Sequence, residues 1–260
     1  MDLRIKGRRA LITGGSGGLG VETARILKDE GADIFLTDVD EDALEKAKSE
    51  LEVDGKVADL STKSGVDDFF GDVGTGFDIW VHAAGVTGAK GDPLQMSEED
   101  WDHALNIDFM SSVRMARHLG PAMCDRGWGR IVFVTSENVA QPYPDETVYN
   151  ASKSALLSFA KSVAMQHSDK GLLVNCIAPA FIETPMTDGM MEKRAKELDC
   201  SLDEAVESFL KEQRPYLVLK RRGQVEEVAP TIALLCSNRA TFTTGANYRV
   251  DGGAVGSINV

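Results

Sequence analysis

Short apolar runs alternate with longer amphipathic segments from one end of this 260-residue chain to the other. Such alternation is typical of parallel βαβ units, in which strands are buried on both faces and helices pack back onto the sheet. The sequence therefore predicts an α/β fold with a doubly wound parallel sheet of about seven strands and helices on both faces. The predicted strands are Arg9 to Thr13, Asp33 to Thr37, Gly55 to Ala58, Asp78 to Ala83, Arg130 to Thr135, Leu172 to Ile177 and Asn247 to Val250. The predicted helices include Gly18 to Glu30, Glu41 to Leu51, Glu98 to Arg126, Tyr149 to Ser168 and Val225 to Ser237.

The chain is long enough for one large domain with a full core, since 43% of its residues are hydrophobic. We therefore expect residues 1–260 to form a single domain. Residues 184–214 are charged and helical in pattern, and no core strand interrupts them. We interpret these residues, called the cap segment below, as a mobile helical cap over the site. A plain pair of surface helices would give the same pattern.

The charge and the cysteines of the chain bear on its partners and its compartment. A net charge of -13 would repel nucleic acid and anionic lipid, so we expect a small-molecule ligand. The four cysteines are scattered and no His/Cys group has metal-ligand spacing, which predicts reduced thiols and no metal site. No apolar leader opens the chain, and no run approaches the roughly 18 apolar residues of a membrane span. We therefore expect a cytoplasmic protein without a membrane partner.

Tyr149 and Lys153 are four residues apart on a predicted helix, so they lie on one face of it. A phenol has a pKa of about 10, and a neighbouring ammonium would help it to exchange a proton at neutral pH. The pair alone is weak evidence. Ser136 strengthens it because this residue follows a predicted buried strand, and open parallel sheets bind ligands at the carboxyl ends of their strands.

A glycine-rich segment, Gly14 to Gly20, follows the first predicted strand and leads into a helix. Glycines let the backbone approach a diphosphate, and a helix amino terminus offers free N–H groups to the anion. Asp38 ends the second strand, where a carboxylate can accept hydrogen bonds from the adenosine ribose and would repel a 2′-phosphate. No Lys or Arg occurs in the glycine segment, and acids follow Asp38. This pattern favours NAD over NADP, although Asp38 could instead cap the next helix.

These residues together resemble the short-chain dehydrogenase/reductase family of the roughly 250-residue type, over essentially the whole chain. The resemblance implies a Rossmann-like fold. It is carried by Thr13-Gly14-x-x-x-Gly18-Leu19-Gly20, Asp59-Leu60, Pro179-Ala180-Phe181-Ile182-Glu183-Thr184 and Val250-Asp251-Gly252-Gly253. The implied cofactor contacts are Gly14, Ser16, Gly17, Gly18, Leu19, Gly20, Asp38, Asp59, Leu60, Ala83, Ala84, Gly85, Tyr149, Lys153, Pro179, Ile182 and Thr184.

The resemblance also implies a catalytic tetrad of Asn106, Ser136, Tyr149 and Lys153 that transfers a hydride between a secondary alcohol or ketone and NAD. Tyr149 would be the general acid/base, and Lys153 would lower its pKa and hold the nicotinamide ribose. Ser136 would bind the substrate oxygen. Asn106 would anchor a water molecule that links Lys153 to solvent.

The chain departs from the family pattern at two places. His82-Ala83 stands where the family commonly has two asparagines, and Ala180 replaces the usual glycine. We interpret His82 as a packed residue rather than a base, because it follows the apolar run Ile79 to Val81. The departures affect local geometry more than chemistry.

The predicted substrate pocket contains Ser136, Glu137, Asn138, Tyr143, Tyr149, Ala180 and Phe181. A carboxylate at Glu137 would suit a polyol, a sugar or an amino alcohol, or it would point to solvent. Phe181 and the cap methionines Met186, Met190 and Met191 would suit a hydrophobic ketone, or they would only dock the cap segment.

Several alternatives to an NAD-dependent alcohol dehydrogenase remain open at this stage. One is an NADP-dependent ketoreductase such as a 3-oxoacyl reductase. Another is a non-redox epimerase or dehydratase that retains NAD, and a third is a cofactor-binding protein without turnover. The resemblance further implies a homotetramer, or a homodimer, since the long apolar stripes of the two central helices would serve an interface as well as a core.

Overall fold

The computed structural model describes residues 1–258, and none of the helices in that range is both long and apolar enough to cross a membrane. The strands are β1 (Arg9–Thr13), β2 (Asp33–Asp38), β3 (Asp54–Val57), β4 (Ile79–His82), β5 (Gly129–Val134), β6 (Leu172–Pro179) and β7 (Asn247–Val250). The α-helices are α1 (Gly18–Asp29), α2 (Glu41–Leu51), α3 (Lys63–Val73), α4 (Glu98–Leu105), α5 (Ser111–Asp125), α6 (Thr147–His167), α7 (Pro185–Leu198), α8 (Leu202–Gln213) and α9 (Val225–Leu235).

The seven strands form a parallel sheet in the order β3-β2-β1-β4-β5-β6-β7. The predicted Rossmann-like α/β fold is therefore confirmed. The chain builds outward from β1 to β3 and then returns to place β4 on the other side of β1. At this reversal the chain changes sides of β1, and the carboxyl ends of β1 and β4 border the place where sheets of this kind bind ligands.

Alternate side chains of each central strand enter two separate cores. Ala10 and Ile12 of β1 pack on one face with α1, α2 and α9, whereas Leu11 packs on the other face with α3, α5 and α6. In β4, Trp80 joins the second core and its neighbours Ile79 and Val81 join the first. Helices on both faces explain why successive residues in the middle of these strands are apolar.

Two helical regions differ from the sequence prediction. Helix α3 was not among the predicted elements; it buries Val66, Phe69 and Phe70, which recur at helical spacing. The predicted helix at 98–126 is interrupted by a π-helical turn, Asn106–Met110, in which the amide of Ser111 donates to the carbonyl of Asn106. The wider turn changes which side chains of this region face inward.

The cap segment contains α7 and α8, and each of these helices begins with a reciprocal capping box. A third apolar cluster joins it to the rest of the protein through Phe181, Met191, Phe209, Leu210, Leu217 and Ala254. Met186 lies outside this cluster and is 50% exposed. Phe181 and Met191 therefore dock the cap segment, as one of the two sequence interpretations proposed.

Candidate active site

Ser136, Tyr149 and Lys153 are brought together at the carboxyl edge of the sheet. Ser136 follows β5 directly, and α6 carries Tyr149 in its first turn and Lys153 one turn later. The Lys153 ammonium lies 5.6 Å from the centroid of the Tyr149 ring. The Ser136 hydroxyl is close enough to the phenol to favour its charged form by hydrogen bonding. Three of the four predicted catalytic side chains thus share one site.

Lys153 is held by Asp108 and by the end of β5. Its ammonium donates to the Val134 carbonyl at 3.2 Å and lies 3.8 Å from Asp108 Oδ1. Asp108 also accepts from the Val86 amide at 2.8 Å and from Ser152 Oγ at 3.0 Å. Both side chains are buried, and a Cβ at Gly85 would lie 2.8 Å from Asp108 Oδ1 and 2.9 Å from Lys153 Nζ. Glycine at position 85 therefore makes room for this ion pair.

Asn106 does not reach Lys153, which corrects the predicted tetrad. Its amide donates to the Asp102 carbonyl at 2.8 Å, and its side-chain oxygen accepts from Arg114 at 2.8 Å. Asp108, two residues further along the π-helical turn, occupies the position beside Lys153 that was expected for Asn106. An acid rather than an amide therefore faces the lysine in this chain.

Tyr149 lies in surroundings that keep its phenol protonated. Burial raises the pKa of Tyr149, the negative charges of Asp108 and Glu137 raise it further, and hydrogen bonding with Ser136 opposes them. The Lys153 ammonium is directed toward Val134 and Asp108. A protonated phenol is suited to donating a proton to a substrate oxygen.

His82 is a fully buried structural residue. Its ring is hydrogen-bonded to Thr13 Oγ1 at 2.7 Å and to Ser111 Oγ at 3.3 Å. Burial lowers the pKa of His82 to about 3, and the charge of Lys153 acts in the same direction. The neutral imidazole thus ties β1 to the start of α5 beneath the site, in place of the asparagine expected from the family pattern.

Buried charged groups surround the pocket beyond Ser136. Glu146 accepts from Arg214 at 2.9 Å and from Lys90 at 2.7 Å, and these two cations lower the pKa of Glu146 although burial opposes them. Glu137 accepts from the Ser136 hydroxyl at 2.8 Å and lies 3.4 Å from Arg214 Nε. Burial raises the pKa of Glu137 to about 7. Glu137 therefore faces inward, which excludes the solvent-facing alternative.

The other predicted pocket residues have different surroundings. Asn138 donates to Glu146 at 2.7 Å and to Asn150 at 2.8 Å, so it braces the loop below Ser136. The Tyr143 ring lies under the Arg214 guanidinium, 3.6 Å from its central carbon. Phe181 packs on Phe209 with ring centroids 4.6 Å apart and belongs to the third apolar cluster, which docks the cap segment. Ala180 precedes it and is partly buried.

The glycine-rich loop forms a cradle that fits a diphosphate. Gly17 is the N-cap of α1 without a side-chain cap, and no acid lies in the first turn, so the amides of that turn are free for an anion. A Cβ at Gly17 would meet only the Gly14 carbonyl, at 3.4 Å, which leaves the mouth of the loop open. By contrast, a Cβ at Gly14 would lie 2.5 Å from the Ala84 amide, and φ there is +70°. Glycine at position 14 is therefore required by the packing of β1 against β4.

Asp38 is connected to the same loop. Its carboxylate accepts from the Ser16 amide at 3.1 Å, from Ser16 Oγ at 2.6 Å and from the Val39 amide at 2.8 Å. Asp40, and not Asp38, caps α2 by accepting from the Ala43 amide. The alternative role of Asp38 as a helix cap is thus excluded, and its carboxylate lies beside the phosphate cradle.

The remaining predicted cofactor residues lie along the same edge of the sheet. Asp59 and Leu60 follow β3, and Ala83 to Gly85 follow β4. Pro179 ends β6, Ile182 pairs with Gly223, and Thr184 caps α7. A nucleotide that crosses the edge from β3 to β6 would pass all of these positions, so the residues present fit such a group.

Asp108, Glu146 and Arg214 belong to the site although the sequence reasoning did not single them out. Arg214 and Glu146 are 68 positions apart in sequence, so local spacing gives no sign that they pair. The sequence does mark Asp108, because it is an acid between the apolar residues Ile107 and Phe109. A buried acid in such surroundings requires a partner.

Comparison with known proteins adds independent evidence. A family model described as Enoyl-(Acyl carrier protein) reductase matches residues 14–255. Nodulation protein G of Rhizobium sp. (strain N33) is 34% identical over 254 residues, which cover 96% of this chain and 97% of the relative. A 3-oxoacyl-acyl-carrier-protein reductase of Thermotoga maritima is 31% identical over 261 residues, covering 97% of this chain and 100% of the relative.

Solved structures of similar fold also include reductases. The L-sorbose reductase of Gluconobacter frateurii, in complex with NADPH and L-sorbose, superposes with a TM-score of 0.91 and 32% identity, covering 99% of this chain and 100% of that one. A levodione reductase gives a TM-score of 0.88 at 26% identity, covering 98% of this chain and 100% of that one. Sequence match and fold together show that the chain belongs to the short-chain dehydrogenase/reductase family of oxidoreductases.

Proposed function

We propose that this protein is an NAD-dependent oxidoreductase that interconverts a secondary alcohol and a ketone. The observation that carries the proposal is the convergence of Ser136, Tyr149 and Lys153 beside an uncapped, glycine-rich helix amino terminus. Reductases among the relatives and structural neighbours support the reaction class. A small-molecule substrate accords with the buried charged side chains beside Ser136.

A bound nicotinamide nucleotide supplies or accepts the hydride. The amides of the glycine-rich loop would hold its diphosphate, Asp38 would accept from the adenosine ribose, and Lys153 would contact the nicotinamide ribose. Ser136 donates a hydrogen bond to the substrate oxygen and so stabilises the charge that develops there. Tyr149 donates its proton to that oxygen during ketone reduction and removes the proton during alcohol oxidation.

Asp108 would act through Lys153 as a positioning residue. Its carboxylate forms an ion pair with the Lys153 ammonium, and its negative charge raises the pKa of Tyr149. This effect keeps the phenol protonated, which favours ketone reduction at neutral pH.

Replacing Asp108 with Asn should lower the pKa of Tyr149, because it removes a negative charge that disfavours the phenolate. The acid limb of kcat/KM for alcohol oxidation, which requires the phenolate, should then move to lower pH by about one unit. The basic limb of ketone reduction should move in the same direction. Asn106→Ala is the control, and its pH profile should match that of the wild type. If Asn106→Ala shifted the pH profile and Asp108→Asn did not, Asp108 could not be the residue that raises the pKa of Tyr149.

The NAD preference is proposed from the acid at position 38 and from the absence of Lys or Arg in residues 13–20. The solved L-sorbose reductase was complexed with NADPH, so an NADP-dependent ketoreductase is the second candidate. The Asp38 carboxylate would repel the 2′-phosphate of NADP at short range. This repulsion is our reason for proposing NAD rather than NADP as the cofactor.

Combining Asp38→Ala with Val39→Arg should shift the preference toward NADP by about 10- to 100-fold in the ratio of kcat/KM values, because a repelling charge is replaced by an attracting one. Val39 is 67% exposed, so an arginine fits there without disturbing the core. Asp40→Ala controls for the loss of a nearby acid. A wild-type enzyme that uses NADP as efficiently as NAD would contradict the proposed role of Asp38.

Epimerisation or dehydration with retained NAD is a different class of reaction on the same fold. Purified protein would then carry tightly bound nucleotide through repeated turnovers, whereas the proposed oxidoreductase releases one nucleotide for each substrate converted. Closure of the cap segment over the substrate, and assembly into a homotetramer or homodimer, remain part of the proposal.

A further inference from the structure

A group of buried polar side chains lies next to Ser136. It consists of Glu137, Glu146 and Arg214, with the Tyr143 ring against the guanidinium. Arg214 ends α8, so the cap segment supplies one member. None of these side chains takes part in proton transfer or lies along the path proposed for the nucleotide. These side chains, buried beside the reacting centre, are therefore candidates for binding the substrate.

The two acids of this group differ in how well they are paired. Glu146 accepts from Arg214, Lys90 and Asn138. Apart from its own backbone amide, the carboxylate of Glu137 receives one side-chain hydrogen bond within residues 1–258, from Ser136. Arg214 Nε, 3.4 Å from Glu137, makes no hydrogen bond to any described residue. A buried carboxylate with so few donors is costly unless a ligand supplies more.

The hydrogen bond from Ser136 cannot persist during the reaction. The Ser136 hydroxyl has one hydrogen, which it shares between Glu137 Oε2 at 2.8 Å and Asn138 Oδ1 at 3.0 Å. Once that hydrogen is donated to the substrate oxygen, Glu137 loses its donor. A second hydroxyl on the substrate would replace it.

The geometry indicates where that second hydroxyl must be. Ser136 Oγ and Glu137 Oε2 are one hydrogen-bond length apart, at 2.8 Å. A ketone oxygen and a hydroxyl on adjacent carbons are also separated by about one hydrogen-bond length. The two oxygens of such a substrate can therefore face Ser136 and Glu137 at the same time.

The charges around the pocket favour a hydroxyl over an ammonium. Glu137 and Glu146 are balanced by Arg214 and by the neighbouring Lys90, so these four side chains together carry no net formal charge. An amine on the substrate would have to approach the Arg214 guanidinium, which already lies beside Glu137. The positive charge of Arg214 would repel the ammonium, so a neutral hydroxyl is the preferred hydrogen-bond donor to Glu137.

We propose that Glu137 selects substrates with a hydroxyl on the carbon adjacent to the reacting carbon. The substrates are then α-hydroxy ketones in the reductive direction and vicinal diols in the oxidative direction. The inference rests on the proposed function. The adjacent hydroxyl keeps its proton throughout, because the proton delivered to the carbonyl oxygen comes from Tyr149.

The test compares matched ketones that differ by one hydroxyl. Wild-type kcat/KM is measured with 3-hydroxy-2-butanone against 2-butanone and with 2-hydroxycyclohexanone against cyclohexanone, each with NADH and with NADPH. We expect the hydroxylated member to be preferred by about 10- to 100-fold, since a hydrogen bond to a buried charge carries the difference. In Glu137→Gln and Glu137→Leu the ratio should fall toward one, while Glu207→Gln, a change at an exposed acid of the cap segment, should keep the wild-type ratio.

Equal kcat/KM for both members of each pair in the wild type would overturn this inference and leave the proposed function intact. An unchanged ratio in folded Glu137→Leu would also overturn it, because the preference would then have another source. Reduction of neither member of any pair, with either nucleotide, would overturn the proposed function together with the inference.

Discussion

Tyr149→Phe should reduce turnover of secondary alcohols and ketones by about 10²- to 10⁴-fold, because it removes the group that exchanges a proton with the substrate oxygen. Nucleotide binding should change little, since the proposed phosphate and ribose contacts lie in the glycine-rich loop and at Asp38. Steady-state rates and fluorescence titration with NADH measure the two quantities separately.

Tyr248→Phe is a suitable control for this change. Tyr248 lies on β7, is 40% exposed and is not part of the proposed site, so its loss should leave turnover unchanged. Retention of even a tenth of the wild-type turnover in Tyr149→Phe would rule out the proposed role of Tyr149.

Lys153→Met should affect both activity and stability. The methionine has a similar length but leaves Asp108 buried without its cation, and breaking a buried ion pair costs about 3–5 kcal/mol in free energy of unfolding. Turnover should fall by about 10²-fold or more, because the change removes the ammonium that we propose contacts the nicotinamide ribose and organises the site around Tyr149. Urea denaturation and initial rates measure the two losses.

The double variant Lys153→Met with Asp108→Asn separates these effects. Removal of the unpaired acid should restore much of the lost stability, but it should not restore turnover. If Lys153→Met alone were as stable as the wild type, the buried pair of Lys153 and Asp108 would not contribute to stability as we expect. A double variant with recovered turnover would contradict the role of Lys153 in the reaction.

The sheet was predictable because its signal is local. The predicted bounds of β1 and β7 are those observed, and the other strands differ by a few residues at their ends. The central strands β1, β4, β5 and β6 are apolar at successive positions because both faces of the sheet are covered, which makes them visible in the sequence alone. Helix α3 was harder to recognise because its apolar residues, Val66, Phe69 and Phe70, are few and follow a polar start.

The site was predictable only in part. Ser136, Tyr149 and Lys153 follow from strand ends and helical spacing, whereas the partner of Lys153 depends on a π-helical turn that spacing does not indicate. The turn places Asp108 and not Asn106 beside the ammonium. Arg214 enters from the cap segment through a contact distant in sequence, which no local pattern predicts.

Deuterium transfer to a ketone tests the central claim most directly. Wild-type protein is incubated with 2-hydroxycyclohexanone and NADH deuterated at both C4 positions, and the product is analysed by mass spectrometry and NMR. The account predicts one deuterium on the new carbinol carbon and one nucleotide oxidised for each alcohol formed. Product without deuterium, or product formed without oxidation of the nucleotide, would contradict hydride transfer as the function of this protein.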